Sequence, residues 1–368
     1  MRLDKNQQVF FALVKAGLWE QEARLLSFSE VDYEEVMRLA EEQSVIGLVT
    51  AGLEHVQDIK VPQEWLLQFI GSTLQVEQKN KDMNVFIARL IEKLRKADIY
   101  ALLVKGQGIA QNYEKPFWRT SGDVDLYLSE NNYRAAKNLL IPLASEVEKE
   151  YEERLHLGLT IDQWVVELHG TMKTSLSSKI NKGLYAVHTN TFYGREVRSW
   201  NNDGTTVFLP SADNDVIIIF THILQHFFVG GIGLRQICDW CRLLWTYSES
   251  LNYGLLESRI QKMGLLSEWR AFGAFAVEYL GMPTEAMPFY VNTTIWKQKA
   301  DRICAFIFET GSFGHKRELE QGVATSVFDR RKKLIINKVI DSFTLLPIFP
   351  LDSMRFLMSF IYDGLRGR

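Results

Sequence analysis

Apolar positions along this chain change period twice. Near the start they recur three and four apart: Phe10, Phe11, Leu13, Val14, Gly17 and Leu18, then Val36, Leu39 and Ala40, then Phe86, Leu90, Ile91 and Leu94. That is the spacing of helices with one buried stripe. Val61-Pro62 punctuates this stretch, with proline at a first helical position.

From Tyr100 the period shortens. Tyr100 to Val104 reads as a short buried strand, Gly106 to Asn112 as a glycine-initiated helical turn, and Glu114 to Gly122 as a loop. A second strand covers Val124 to Leu128, and a helix covers Asn131 to Leu140 with Ser129 as its N-cap. His156 to Ile161 and Trp164 to His169 read as strands joined by a tight turn at Asp162-Gln163. Arg195 to Trp200 and Thr205 to Leu209 pair around Asn202-Asp203-Gly204.

Past the capping region at Ser211-Ala-Asp-Asn-Asp the helical period returns, interrupted by Pro283, Pro288, Pro347 and Pro350. The aromatic, amphipathic tail from Phe343 to Tyr362 predicts a packed terminal helix. The expectation is an α+β protein. A mixed sheet with covering helices occupies residues 98–210, between helical regions at 1–97 and 211–368.

Composition excludes several function classes. The chain is 46% apolar and 24% charged, near the average of globular proteins. A net charge of −3 supplies no overall basic field for a nucleic acid. The longest apolar stretch, Val216 to Gly233, is broken by Thr221, His222, Gln225 and His226. It falls short of the roughly 20 apolar residues of a membrane span. Met1 to Gln8 lacks a signal-peptide apolar core, so a cytoplasmic protein is expected. Cys238, Cys241 and Cys304 are too few for a disulfide framework. Cys238-x-x-Cys241 has redox spacing but sits in an amphipathic helix pattern, which reads as core thiols.

The chemistry concentrates in the middle. Asp123 and Asp125 lie two apart on a predicted strand and therefore project from one face. Like charges held together repel unless a cation sits between them. Hard divalent ions such as Mg²⁺ take one or two carboxylates together with substrate phosphates. Two-metal phosphate chemistry usually draws a third carboxylate from a neighbouring strand, and Glu167 meets that demand. Gly106-Gln107-Gly108 follows a strand and opens a helix, a setting in which backbone N–H groups can cradle phosphates.

Lys105-Gly106-x-Gly108, Arg119, Gly122-Asp-Val-Asp-Leu126 and Val166-Glu-Leu-His169 resemble the nucleotidyltransferase fold of the DNA polymerase beta type. More narrowly they resemble an uncharacterised bacterial nucleotidyltransferase family. The core resemblance covers about residues 84–210. It implies Asp123 and Asp125 as ligands to both metals, Glu167 as the third ligand, and Gly106 and Gly108 as triphosphate contacts. The sequence departs from the superfamily at Gln107, where a phosphate-holding serine is usual, and at Glu167, where aspartate is commoner. Lys105 can supply charge to a phosphate instead.

The resemblance implies an enzyme that binds Mg²⁺ (or Mn²⁺) and a nucleoside triphosphate. It would transfer a nucleoside monophosphate to a hydroxyl on a small molecule or a protein. The alternative is a catalytically weak nucleotide-sensing or partner-binding module, antitoxin-like, on the same fold.

Several positions stay open at this level. Arg119 suits phosphate pairing or a structural bridge to a site carboxylate. His169 can orient Glu167, touch substrate or lie on a covered face. His222 and His226 have the i,i+4 spacing of zinc ligands and equally that of packed helix histidines. Arg235 and Asp239 are spaced as an i,i+4 ion pair. Tyr113 and Trp118 can stack on a base or simply pack.

Overall fold

The computed structural model describes residues 3–28, 30–311, 327–351, 353–355 and 357–358. The part of the tail expectation beyond residue 358 lies outside them. Within the described part Leu345, Ile348 and Phe349 are buried, but a helix ends at Leu345 and Phe343, Leu351, Met354 and Met358 are exposed, so the expected single packed helix from Phe343 is not what forms.

A seven-stranded mixed sheet positions everything that follows. Its strands are β1 (Ala101–Val104), β2 (Asp123–Leu128), β3 (Glu146–Val147), β4 (His156–Ile161), β5 (Trp164–His169), β6 (Val197–Asn202) and β7 (Thr205–Pro210). They lie in the order β3-β4-β5-β2-β1-β7-β6. β2 runs parallel to β5 and β1 parallel to β7, while the β1–β2, β3–β4, β4–β5 and β6–β7 pairs are antiparallel. The expected hairpins are present. The two-residue edge strand β3 has too little apolar pattern to be read from sequence.

The two faces of the sheet have different partners because side chains alternate along each strand. Val124, Leu126 and Leu128 of β2, Val166 and Leu168 of β5, and Leu157 and Leu159 of β4 point to one face. There they meet the second half of helix α4 (Gln63–Lys96) and helix α6 (Glu130–Leu140), including Phe86, Ile87, Leu90 and Tyr133. Ser129 caps α6 as expected, its hydroxyl accepting from Asn132 N–H. α4 is 34 residues long, about 50 Å at helical rise, and braces the sheet from behind.

The opposite face carries Leu102, Val104 and Tyr127 into a second apolar cluster. Its other members come from both ends of the chain. α1 (Lys5–Trp19), α2 (Tyr33–Glu42) and α3 (Ile46–Glu54) supply Phe10, Val36 and Val49. α7 (Ser178–Phe192), α8 (Ala212–Val229) and α9 (Leu234–Thr246) supply Leu184, Phe220 and Trp240. α7 was not read from the sequence, although Ile180, Leu184 and Val187 carry the i, i+4, i+7 spacing of a buried stripe. Ser211 does precede α8, but its hydroxyl makes no cap bond and is left buried without a partner. Cys238 and Cys241 are buried free thiols, and burial pushes both above the ordinary thiol range.

Candidate active site

The register of one parallel pair builds the site. Asp125 stands opposite Glu167 and Tyr127 opposite His169 in the β2–β5 ladder, so all four share a face with Asp123. That shared face could not be known from either strand alone. Carboxylate oxygens of Asp123, Asp125 and Glu167 lie within 4.8 Å of one another. They open into a cleft of 460 Å³ between the sheet and helices α8 and α9. Its wall also includes Lys105, Gly106, Arg154, His169, Lys173 and Arg235.

Cationic groups of the protein already lean on these carboxylates. Lys105 Nζ donates to Asp125 Oδ1 at 2.5 Å, and His169 Nε2 lies 2.8 Å from the same oxygen. Burial disfavours the charged form of Lys105, but Asp125, Glu167 and Asp123 together raise its pKa above the ordinary lysine value. Burial likewise opposes protonated His169, yet its hydrogen bonds to Asp125 and Glu167 raise it. Burial works against the Glu167 anion too. Hydrogen bonds from His156 and His169, with Lys105 nearby, nevertheless hold that carboxyl far below its usual range. Asp123 goes the other way: the adjacent Asp125 charge, then burial, raises it. Of the three carboxylates, Asp123 is therefore the one short of positive charge.

This donor set fits a hard divalent cation. Three carboxylates face one point, all oxygen donors, with the counter-charge of Lys105 and His169 falling on Asp125 and Glu167 and none bonded to Asp123.

The Lys105-Gly106 step is strained. Lys105 has φ 56° and ψ −150°, a region L-residues rarely enter, and Gly106 follows at φ 39°. Such geometry costs on the order of 1–3 kcal/mol and concentrates at functional sites. Here it turns the chain from β1 into α5 (Gly106–Ala110) and aims the lysine at Asp125. The two glycines do different jobs. Gly106 forms part of the cleft wall. Gly108 packs α5 onto the sheet, where a Cβ would meet Leu209 Cδ2 at 2.8 Å.

Gln107, in the place of the usual serine, turns away from the cleft. It is buried and donates to Asn80 Oδ1 of α4 at 2.7 Å. Asn80 Nδ2 in turn donates to the carbonyls of Phe117 and Arg119 at 2.7 and 2.8 Å. Gln107 therefore helps fix the loop before β2.

Arg119 is engaged within the protein, and its partner is not a site carboxylate. Its guanidinium donates twice to Asp239 of α9, at 3.0 and 2.5 Å, and once to Ser121 Oγ at 2.7 Å. Tyr113 OH adds a bond to Asp239 Oδ1 at 2.8 Å. The expected Arg235–Asp239 pair gives way for this reason: both oxygens of Asp239 are taken by Arg119. Arg235 instead donates to the Thr120 carbonyl at 2.9 Å, and its Nε is buried without a partner. Burial, then the neighbouring Arg119 charge, lowers Arg235 to about 10. Trp118 is held by Glu77, at 2.7 Å from its indole N–H, and covered by Lys115. Tyr113 and Trp118 are packing residues.

His222 and His226 line the cleft with ring centroids 4.3 Å apart. Burial, then Lys105, lowers both, His226 to about 4. They join no group of three ligating residues among the described residues.

Sequence reasoning missed His156. The signal was present: a two-residue turn between Ile161 and Trp164 sets the β4–β5 register and so places His156 opposite His169. Arg154 and Lys173 were also missed, since they reach the cleft only through the sheet's edge and the segment after β5.

The family model described as "Uncharacterised nucleotidyltransferase" matches residues 29–281. No curated protein matches the chain. The crystal structure of an antigenic nucleotidyltransferase-like protein from Paracoccidioides brasiliensis is similar over 50% of this chain and 90% of that one, with 16% identity and a TM-score of 0.32.

Proposed function

The chain belongs to the uncharacterised nucleotidyltransferase family, and from that premise we propose that it moves a nucleoside monophosphate from a nucleoside triphosphate to a hydroxyl-bearing acceptor. The observation that carries this reading is the convergence of Asp123, Asp125 and Glu167 on one point of a cleft with a cationic wall. In this reading the site is of the DNA polymerase beta type and the protein is bacterial and cytoplasmic. The middle region 98–210 carries the chemistry between helical regions 1–97 and 211–368.

Asp123, Asp125 and Glu167 would hold Mg²⁺ or Mn²⁺. Bound there, the ions neutralise phosphate charge and polarise the attacking oxygen. The chain's own groups do the rest. Lys105 sits where its ammonium can pass from Asp125 to a phosphate oxygen. Arg235 presents a buried guanidinium with a free Nε, a better phosphate partner than Arg119, which Asp239 already neutralises. Gly106 lets the backbone approach the cleft. Glu167, as ligand or base, would help activate the acceptor oxygen, while His222 and His226 line the wall with imidazoles that burial keeps neutral. The acceptor, a small molecule or a protein side chain, would enter along the wall made by α8 and α9.

The test is to incubate the protein with each labelled nucleoside triphosphate, Mg²⁺ or Mn²⁺, and cell extract. Pyrophosphate release and labelled product are expected, and both vanish in Asp123→Ala and Asp125→Ala. Metal-independent release, or release unchanged in those variants, would sink the reading.

One observation favours the second reading, a nucleotide-sensing or antitoxin-like partner-binding module. The buried Lys105–Asp125 bridge neutralises a site carboxylate from within. That module would bind nucleoside triphosphate in the presence of metal yet release no pyrophosphate under the same conditions.

A further inference from the structure

The cleft gathers a second set of ligating atoms beside the three carboxylates. His156 of β4 and His169 of β5 are register partners across the antiparallel ladder. Both line the cleft, with ring centroids 4.8 Å apart. Their Nε2 atoms lie 3.4 and 3.3 Å from one oxygen, Glu167 Oε2. Each of the three residues offers one ligand atom, all within 4.8 Å of one another. Four bonds of about 2.1 Å around a tetrahedral ion set neighbouring ligands about 3.4 Å apart. The two nitrogen–oxygen separations therefore match a coordination edge.

We propose that His156, Glu167 and His169 form a seat for a divalent transition metal of the zinc or ferrous type, with Glu167 shared with the all-oxygen seat at Asp123 and Asp125. The donor chemistry decides the class. Two imidazoles and one carboxylate suit first-row transition ions, whereas Mg²⁺ takes oxygen. Three protein ligands leave a coordination position facing the cleft, the arrangement of a site that acts on a substrate. Each imidazole Nε2 gives up its proton to the solvent when the ion takes its lone pair. His169 then releases Asp125 Oδ1, which keeps its bond from Lys105. The β4–β5 turn holds the ligands without further help, since one antiparallel register places both histidines.

This proposal stands on the His156–Glu167–His169 geometry and shares only Glu167 with the nucleotidyl site, so the two are separable. The full-length protein, stripped of metal, is titrated with Co²⁺ and its visible absorption followed. The wild type is expected to bind Co²⁺ with the intense bands of a low-coordinate, nitrogen-containing site. Zn²⁺ should displace it stoichiometrically, and Mg²⁺ should not at comparable concentration. His156→Ala and the more conservative His156→Asn should each weaken binding more than about tenfold and lose the bands. Circular dichroism and Tm confirm that at least one of them is folded. Asp123→Asn should keep both affinity and spectrum. Wild-type Co²⁺ binding in the His156 variants overturns the proposal, as does loss in Asp123→Asn equal to that in His156→Ala. Either result leaves Mg²⁺-dependent nucleotidyl transfer standing. Retained Co²⁺ bands in a protein that releases no pyrophosphate would sink the transferase reading and keep the metal seat.

Discussion

Asp125 and Glu167 face each other across the parallel β2–β5 ladder. Lys105, His156 and His169 are arranged around that pair. Lys105 and His169 donate to Asp125, and His156 and His169 to Glu167. Asp123, one step along the same face, has the least compensation and a raised pKa.

The variant Asp123→Asn should therefore separate activity from stability. Transfer activity is expected to fall on the order of a hundredfold or more, the scale of losing one preorganised electrostatic group. Stability should rise slightly, because an acid whose folded pKa is raised is less stable ionised than in the unfolded chain. Steady-state kinetics and Tm on the same preparation check both. A lower Tm with intact activity would contradict the assignment.

Gln107 should prove structural. Replacing it with the usual serine, Gln107→Ser, is expected to lower stability without raising activity, because the side chain points to Asn80 and not to the cleft. Asn80→Ala leaves two loop carbonyls and the Gln107 amide without their partner. A loss of about 1–3 kcal/mol is expected, measured by urea unfolding.

The Arg119–Asp239 bridge is buried on both sides. Arg119→Ala strands a buried carboxylate and should cost about 3–5 kcal/mol. The double variant Arg119→Met with Asp239→Leu should cost less than the sum of the single changes. A double-mutant cycle by denaturant unfolding measures this, and strict additivity would show that the two residues are uncoupled.

Acid should destabilise the protein through the α8 histidines. Burial, then Lys105, lowers His226 to about 4, below the ordinary histidine value of 6.5. Between those values the unfolded chain binds the extra proton, so stability is full above about 6.5 and falls as pH drops toward 4. His222 shifts in the same direction. The loss from His226 is on the order of a few kcal/mol, and His226→Phe should flatten the slope of urea-unfolding free energy between pH 7 and 5. An unchanged slope would show that His226 is already protonated in the folded state.

The sequence by itself determined every strand but β3, most of the surrounding helices and the candidate carboxylates, because these depend on local period and on residue type. Asp123 and Asp125 share a face by strand geometry alone, and the two-residue turn after Ile161 already implied His156 opposite His169. Only the tertiary structure decided which strand lies beside β2, and hence that Glu167 faces Asp125. Parallel pairing between segments about forty residues apart leaves no local signature. It also decided the fates of Gln107, Arg119 and Arg235. A long polar side chain can swing toward a ligand or toward its own protein, and the segment packed against it makes that choice: α4 for Gln107, α9 for Arg119 and the loop before β2 for Arg235.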